Sequence, residues 1–356
     1  MRVEAERPPG RLTPSMLLDA GSTLFSRARN LEAELALRAV HLKFEGSNPT
    51  GTQKDRIARL AYDDAHAKGF DTITVATCGN FGASVAWACA HNGIRPAVFV
   101  PSDYHTPRIV EMERRGARIV RVPGDYEDAV AASRDAARAY GWYDANPGSD
   151  TQWDLARRGY GGIGLEIVDA LGRMPDSVSV AVGNGTTLAG VYEGLREAAR
   201  ARGIGKLPRM IACSTRRGNP IIKSWREGSR VCLDLKPEEI QETEVNEPLV
   251  NWRSFDGQRA LDAIYGSDGF AVYASDAEMR RFTALTRSVE GISVMTASTA
   301  ALVGLAKGAK KGLLADGVHV AILTGRHFEK PRQPRTGAPI PRPLPAAAAG
   351  EATSGV

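Results

Sequence analysis

The chain has 356 residues, 43% of them hydrophobic and 24% charged, with a formal net charge of +5. Such a length accommodates about two domains with buried cores, and the modest charge leaves no basic field suited to nucleic acid. No apolar run approaches the ~20 residues a membrane span needs, the N-terminus MRVEAERPPGRL lacks a leader-like apolar stretch, and Cys78, Cys89, Cys213 and Cys232 lie without disulfide or metal spacing. A cytoplasmic protein with reduced thiols, no metal site and no membrane contact is expected.

The first strong local signal is SNPTGTQKDR, residues 47–56. Thr52 followed by Asp55 reads as a capping-box variant, and Ile57, Ala58, Leu60 and Ala61 recur at helical spacing up to Gly69. Lys54 then falls in the first turn, where the positive end of the helix dipole favours the neutral amine. Such an amine suits a nucleophile, although a lysine taken singly is far more often a solvated side chain.

Downstream, buried strands are expected at residues 72–77, 97–100, 117–122, 177–182, 210–213 and 319–323. Helices are expected at 81–91, 106–115, 126–140, 186–201 and 297–309. The alternation defines an α/β protein with mainly parallel strands. Residues 216–256 mix glycine, proline and charge without period and read as loops at a site rim, and the Pro- and Ala-rich tail at 331–356 reads as disordered.

Two glycine-containing turns follow expected strands, where open α/β sheets bind ligands. One is TCGNFGAS, with Thr77, Cys78, Gly79 and Asn80; the other is VGNGTTLAG, with Gly183, Asn184, Gly185, Thr186 and Thr187. Glycines that let the backbone approach an anion, hydroxyls, and the amides of a starting helix make the second turn a phosphate cradle. It fits neither the dinucleotide fingerprint nor the P-loop, and alone it is equally a tight packing turn.

Together NPTGTQKDR, TCGNFGAS, VGNGTTLAG, EGISVMTAS and LTGRH resemble, in order and spacing over residues 24–329, the fold-type II pyridoxal-phosphate enzymes (tryptophan synthase β-like), threonine synthase in particular. The resemblance implies that Lys54 forms a Schiff base with pyridoxal 5′-phosphate and then acts as the base. By the same resemblance Asn80 bonds the cofactor 3′ oxygen, and Gly183, Asn184, Gly185, Thr186 and Thr187 hold its phosphate. Thr324 faces the pyridine nitrogen, while Thr77, Cys78, Gly79 and Asn80 bind the substrate α-carboxylate.

A neutral hydroxyl at the ring nitrogen favours elimination and replacement over transamination. The implied enzyme is a homodimer acting on a small-molecule L-amino acid with a β- or γ-leaving group. Its larger domain comprises residues 1–56 and 150–330, and its smaller mobile domain residues 57–149.

Departures concern the substrate side. Gln53 replaces a phenylalanine before the lysine, Gly159-Tyr160-Gly161-Gly162 stands where GQKT is usual, Met295-Thr296 replaces an EP pair, and Arg326-His327 follows the Thr-Gly. A lysine and a threonine suited to a phosphorylated substrate are absent, with Arg157, Arg158 and Arg326 as candidate replacements. A β-replacement synthase of cysteine or cysteate type is the alternative. A non-catalytic cofactor- or amino-acid-binding protein is a third reading, for which Lys54 would be superfluous.

Overall fold

The computed structural model describes residues 20–328, apart from 78, 91, 92, 105 and 107. The expected tail therefore lies outside the described residues. The chain opens with β1 (Leu24–Arg27), α1 (Arg29–Leu35), β2 (Ala39–Phe44) and α2 (Lys54–Ala67). It continues through β3 (Thr72–Ala76), α3 (Asn80–Cys89), β4 (Arg95–Pro101), α4 (Arg108–Arg114), β5 (Arg118–Val122), α5 (Tyr126–Tyr140) and β6 (Tyr143–Asp144). After α6 (Asp150–Leu171) come β7 (Ser177–Ala181), α7 (Thr186–Arg202), β8 (Arg209–Ser214) and α8 (Pro220–Arg226). The last elements are α9 (Gly257–Gly266), β9 (Phe270–Tyr273), α10 (Asp276–Glu290), α11 (Ala300–Lys310) and β10 (Val318–Leu323).

Two sheets result. A six-stranded sheet has the order β1-β2-β10-β7-β8-β9, and a four-stranded sheet the order β5-β4-β3-β6. Only the β1–β2 pair among the named strands is antiparallel. Strands β3 and β7 are buried at every position, as expected of parallel strands covered by helices on both faces.

Helices α6 and α7 pack along a glycine seam. A Cβ on Gly164 would lie 2.7 Å from the Val191 carbonyl, and one on Gly190 would lie 2.7 Å from Tyr160 Cβ, so the two backbones approach only because those side chains are missing. The seam matters for the site, because α7 begins at one of its walls and α6 carries another.

Candidate active site

The position of Lys54 is set by backbone contacts. Gln53 N–H donates to the Thr324 carbonyl at 3.0 Å, and Thr52 bridges Gly325, so the lysine stands where the end of β10 meets the first turn of α2. The expected capping box does not form. Gln53 is the N-cap, without a side-chain bond. Asp55 is fully buried and accepts from Thr50 N at 2.6 Å and Thr50 Oγ1 at 2.5 Å, satisfying its oxygens on the preceding loop. Thr52 Oγ1 accepts from Lys54 N at 3.3 Å.

Two residues after Lys54, Arg56 locks the same turn from behind. It donates to Glu45 at 2.7 and 2.9 Å and to Glu166 at 2.7 and 2.8 Å. Lys43 reaches Glu166 at 2.5 Å, and Asn48 donates to Glu45 at 2.8 Å. Charges buried this completely persist only when each is paired.

The Lys54 amine has no hydrogen-bond acceptor among the described residues; its Nζ lies 5.6 Å from the Phe81 ring centroid and 5.8 Å from that of Tyr160. Burial pulls its pKa down to about 8, against a partial opposing pull from the Asp256 carboxylate. With the pKa lowered this far, about a tenth of the amine is neutral at pH 7, far more than for an ordinary lysine, which suits a nucleophile and base.

Across from it runs the second glycine turn. Gly185 has φ +89° and is the N-cap of α7. Among the described residues, the amides from Gly183 to Leu188 have no hydrogen-bond acceptor, while Ala189 N already returns to the Gly185 carbonyl. Gln53, Lys54, Asn80, Gly183, Asn184, Gly185, Thr186, Thr187, Met295 and Thr324 line one concavity, so every cofactor residue expected from sequence comes together. The Asn184 carboxamide oxygen accepts from Asn251 Nδ2 at 3.0 Å and Phe255 N at 3.3 Å, which fixes its orientation. Thr186 is already engaged, donating to Asp256 Oδ2 at 2.6 Å.

The two glycines also have structural reasons. A Cβ on Gly183 would meet the Pro248 carbonyl at 2.9 Å, and one on Gly185 would meet Ala260 and Ile221 at 2.8 and 2.9 Å. The tight-packing reading of the turn therefore holds, and it leaves the amides beside it free of acceptors among the described residues.

Thr324 is buried, with Oγ1 2.9 Å from Ser298 Oγ, and Ser298 Oγ accepts from Gly325 N at 3.1 Å. Asn80 opens α3, and its Nδ2 has only a weak contact, 3.6 Å to Met295 Sδ. In the expected carboxylate loop, Thr77 Oγ1 accepts the Gly79 amide at 2.9 Å. No acceptor is seen for the amides of Asn80, Phe81 and Gly82 among the described residues, so the free donors begin one residue later than Gly79. Cys78 lies outside the described residues.

The adjoining cleft, about 940 Å³ and partly open to solvent, joins Lys54 and the loop of Thr77, Gly79 and Asn80 to a distal wall of Tyr126, Gln152, Glu247 and Asp256. None of these four was singled out from sequence. They are scattered over four places in the chain and share no motif; Ser298, by contrast, stood inside a motif without a role.

The candidate replacement arginines lie elsewhere. Arg157 and Arg158 face Asp154 at 2.8 and 4.0 Å on exposed α6 surface, and Arg326 is exposed, with its guanidinium 5.7 Å from the Phe328 ring. Positions 161 and 162 also face away from the cleft: a Cβ there would point at Gly194 and at Arg56 respectively.

A lysine and a row of helix-start amides, both without partners among the described residues, meet at the carboxyl ends of parallel strands, where open α/β sheets bind anionic ligands. The chain matches the family model for pyridoxal-phosphate dependent enzymes over residues 16–325, and it belongs to that family. It is 30% identical over 320 residues to threonine synthase of Methanocaldococcus jannaschii, covering 88% of this chain and 76% of the relative. It is 31% identical over 340 residues to threonine synthase of Mycobacterium tuberculosis, covering 94% and 88%.

Among solved structures, the processed form of threonine deaminase isoform 2 from Solanum lycopersicum aligns with a TM-score of 0.70 at 17% identity, over 86% of this chain and 84% of that one. O-ureido-L-serine synthase aligns at 0.64 and 21% identity, over 86% and 90%. These likenesses establish the shared fold. The chain is accordingly a pyridoxal 5′-phosphate-dependent lyase or synthase of the elimination and replacement kind. The site fits the cofactor, since its free amides suit a phosphate dianion and its free amine suits an aldehyde.

Proposed function

We propose that Lys54 holds pyridoxal 5′-phosphate covalently and then moves the Cα proton of an L-amino acid that carries a leaving group at its β- or γ-carbon. The observation that carries this reading is the pairing of the unpartnered Lys54 amine with the unpartnered amides from Gly183 to Leu188 in one concavity. Bound there, the cofactor supplies an electron sink that acidifies the substrate Cα–H.

This chain's own residues do the rest. The amides of Gly183, Asn184 and Gly185, and those of Thr186 and Thr187 with the Thr187 hydroxyl, hold the phosphate. Asn80 directs Nδ2 at the 3′ oxygen. Ser298 and Thr324 share a hydroxyl–hydroxyl hydrogen bond at 2.9 Å, and with Ser298 as its donor the Thr324 hydrogen is left for the ring nitrogen. The loop of Thr77, Cys78, Gly79 and Asn80, continuing into the free amides of Phe81 and Gly82, takes the α-carboxylate and so fixes Cα against the Lys54 amine.

The unit carrying the four-stranded sheet, residues 57–149, is the mobile smaller domain in this proposal, working against residues 1–56 and 150–330. The enzyme is taken to be a cytoplasmic homodimer, which light scattering of the purified protein tests. No helix among the described residues is long and apolar enough to cross a membrane.

A β-replacement synthase of cysteine type is a second reading, favoured by the lack of cations other than Lys54 among the described cleft-lining residues. The test is to present the cofactor-loaded protein with phosphohomoserine, phosphoserine, acetylserine, threonine and serine. Cofactor absorbance and product are followed, with and without an added thiol. Release of a keto acid or a replaced amino acid is expected; spectral change without product would favour a binding protein.

A further inference from the structure

A fully buried phenol stands beside the cofactor site without a partner. In the run Gly159-Tyr160-Gly161-Gly162 of α6, Tyr160 is the one position with a side chain, and none of that side chain is exposed. Its Oη has no hydrogen-bond partner among the described residues. A hydroxyl taken out of water and left unpaired is costly, so a tyrosine held here in place of a phenylalanine calls for a partner.

The glycine seam fixes where that partner lies. A Cβ on Gly190 would lie 2.7 Å from Tyr160 Cβ and 3.5 Å from Cδ2, so the phenol rests against the face of α7 that carries Gly190. Thr187, three residues earlier, shares that face. Burial pushes the Tyr160 pKa up, and the Thr187 hydroxyl beside it pulls it back in part. The two side chains are thus neighbours without a formed hydrogen bond. The Lys54 amine, 5.8 Å from the ring centroid, makes no hydrogen bond with the phenol either.

Thr187 is equally unspent. A helical threonine ordinarily returns its hydroxyl to the carbonyl three or four residues back. Those carbonyls already have other donors: that of Asn184 accepts from Asp256 N at 3.2 Å, and that of Gly183 from Asn219 Nδ2 at 3.0 Å. Thr187 bonds to neither, and its side chain lines the cofactor concavity.

From these contacts we propose that Tyr160 is a positioning residue of the phosphate cradle: with the phosphate bound, its hydroxyl donates to Thr187 Oγ1 and holds the Thr187 hydrogen toward the phosphate. A threonine hydroxyl gives one hydrogen and accepts others, so Oγ1 serves both contacts at once. Linked hydroxyls polarise one another, which strengthens the final bond to a dianion. The inference rests on the active-site reading above and adds a residue that acts through another.

The test is reconstitution of the apoprotein with pyridoxal 5′-phosphate and, separately, with pyridoxal, which lacks the phosphate. Tyr160→Phe keeps the ring in the seam and removes only the hydroxyl. It is expected to weaken binding of pyridoxal 5′-phosphate about threefold to tenfold, while pyridoxal binds as before and the apoprotein Tm is equal to or above that of the parent. In a Thr187→Ala background the same substitution should leave Kd within about twofold, because the hydroxyl it orients is gone.

Unchanged affinity for pyridoxal 5′-phosphate in Tyr160→Phe would overturn the proposal. An equal loss for both ligands would do the same, as would an undiminished loss in the Thr187→Ala background. Failure of the unmodified apoprotein to take up either ligand would instead remove the active-site reading, and this inference with it.

Discussion

The cofactor side of the cleft and its distal wall are built in opposite ways. The first is made of backbone: a helix that starts at Lys54, another that starts at Thr186, and the run of amides between Gly183 and Leu188. The second is made of side chains from α5, α6, a turn at Glu247 and the residue before α9. Backbone sites need glycines and helix starts at fixed spacing, which leaves a readable string; a wall assembled from separate segments leaves none. The contrast says where each kind of change should act.

The largest effect belongs to the cofactor side. Lys54→Ala removes both the covalent anchor and the proton carrier, and turnover should fall by at least about 10³-fold. The far-ultraviolet spectrum and Tm should stay near those of the parent, since the lysine makes no hydrogen bond through its amine. Turnover within about tenfold of the parent would place the chemistry elsewhere.

Next comes the support behind Lys54. Glu45 is fully buried between Arg56, Asn48 and Thr23, so Glu45→Ala leaves a buried guanidinium short of its partner. A loss of roughly 3–5 kcal/mol in chemical denaturation is expected. A loss below about 1 kcal/mol would mean that the network is not a structural support.

The phosphate cradle should show a smaller, cofactor-specific change. Gly185 is a poor probe, because any side chain there collides with Ala260 and Ile221 and strains a positive φ. Thr187→Ala is the cleaner one. Loss of a single hydroxyl donor to a dianion should weaken cofactor binding by roughly 1.5–3 kcal/mol, read as Kd in a reconstitution titration.

Two pH effects separate the regions further. Lys54 sits at about 8, below its ordinary 10.5, because it is buried. Cofactor uptake by the apoprotein should therefore quicken about tenfold per pH unit up to that value and level off above it. The Glu127 carboxyl, beside the loop that faces Tyr126, is raised to about 7 by burial and then by Asp125. Its folded-state pKa exceeds the ordinary 4.5, so the stability it contributes is fully present below 4.5 and is lost as pH rises through 7. Comparison of Tm against pH for the parent and Glu127→Gln should show that slope only in the parent.

The same contrast explains what could be read in advance. All six expected strands exist as β3, β4, β5, β7, β8 and β10, each a short run rich in β-branched or other apolar residues between helices. β2 escaped notice because its Lys43 is charged, and only Glu166, far along the chain, makes that lysine acceptable inside.

α6 escaped notice because its glycines resemble a loop; they are helical because α7 packs where their side chains would be. The capping box failed for a similar reason, since a tertiary partner, Thr50, claimed Asp55. Residues 216–256 were read as irregular, and they contain only α8 and two 3-10 turns, yet Glu247 and Asp256 from this stretch line the cleft.

The central claim is that the free amine at the start of α2 is the cofactor's attachment point. Borohydride reduction of the cofactor-loaded enzyme, followed by peptide mapping, tests it most directly. A single phosphopyridoxyl group on the peptide carrying Lys54 is the predicted result. Label on another lysine, or a cofactor that dialyses away after reduction, would contradict it.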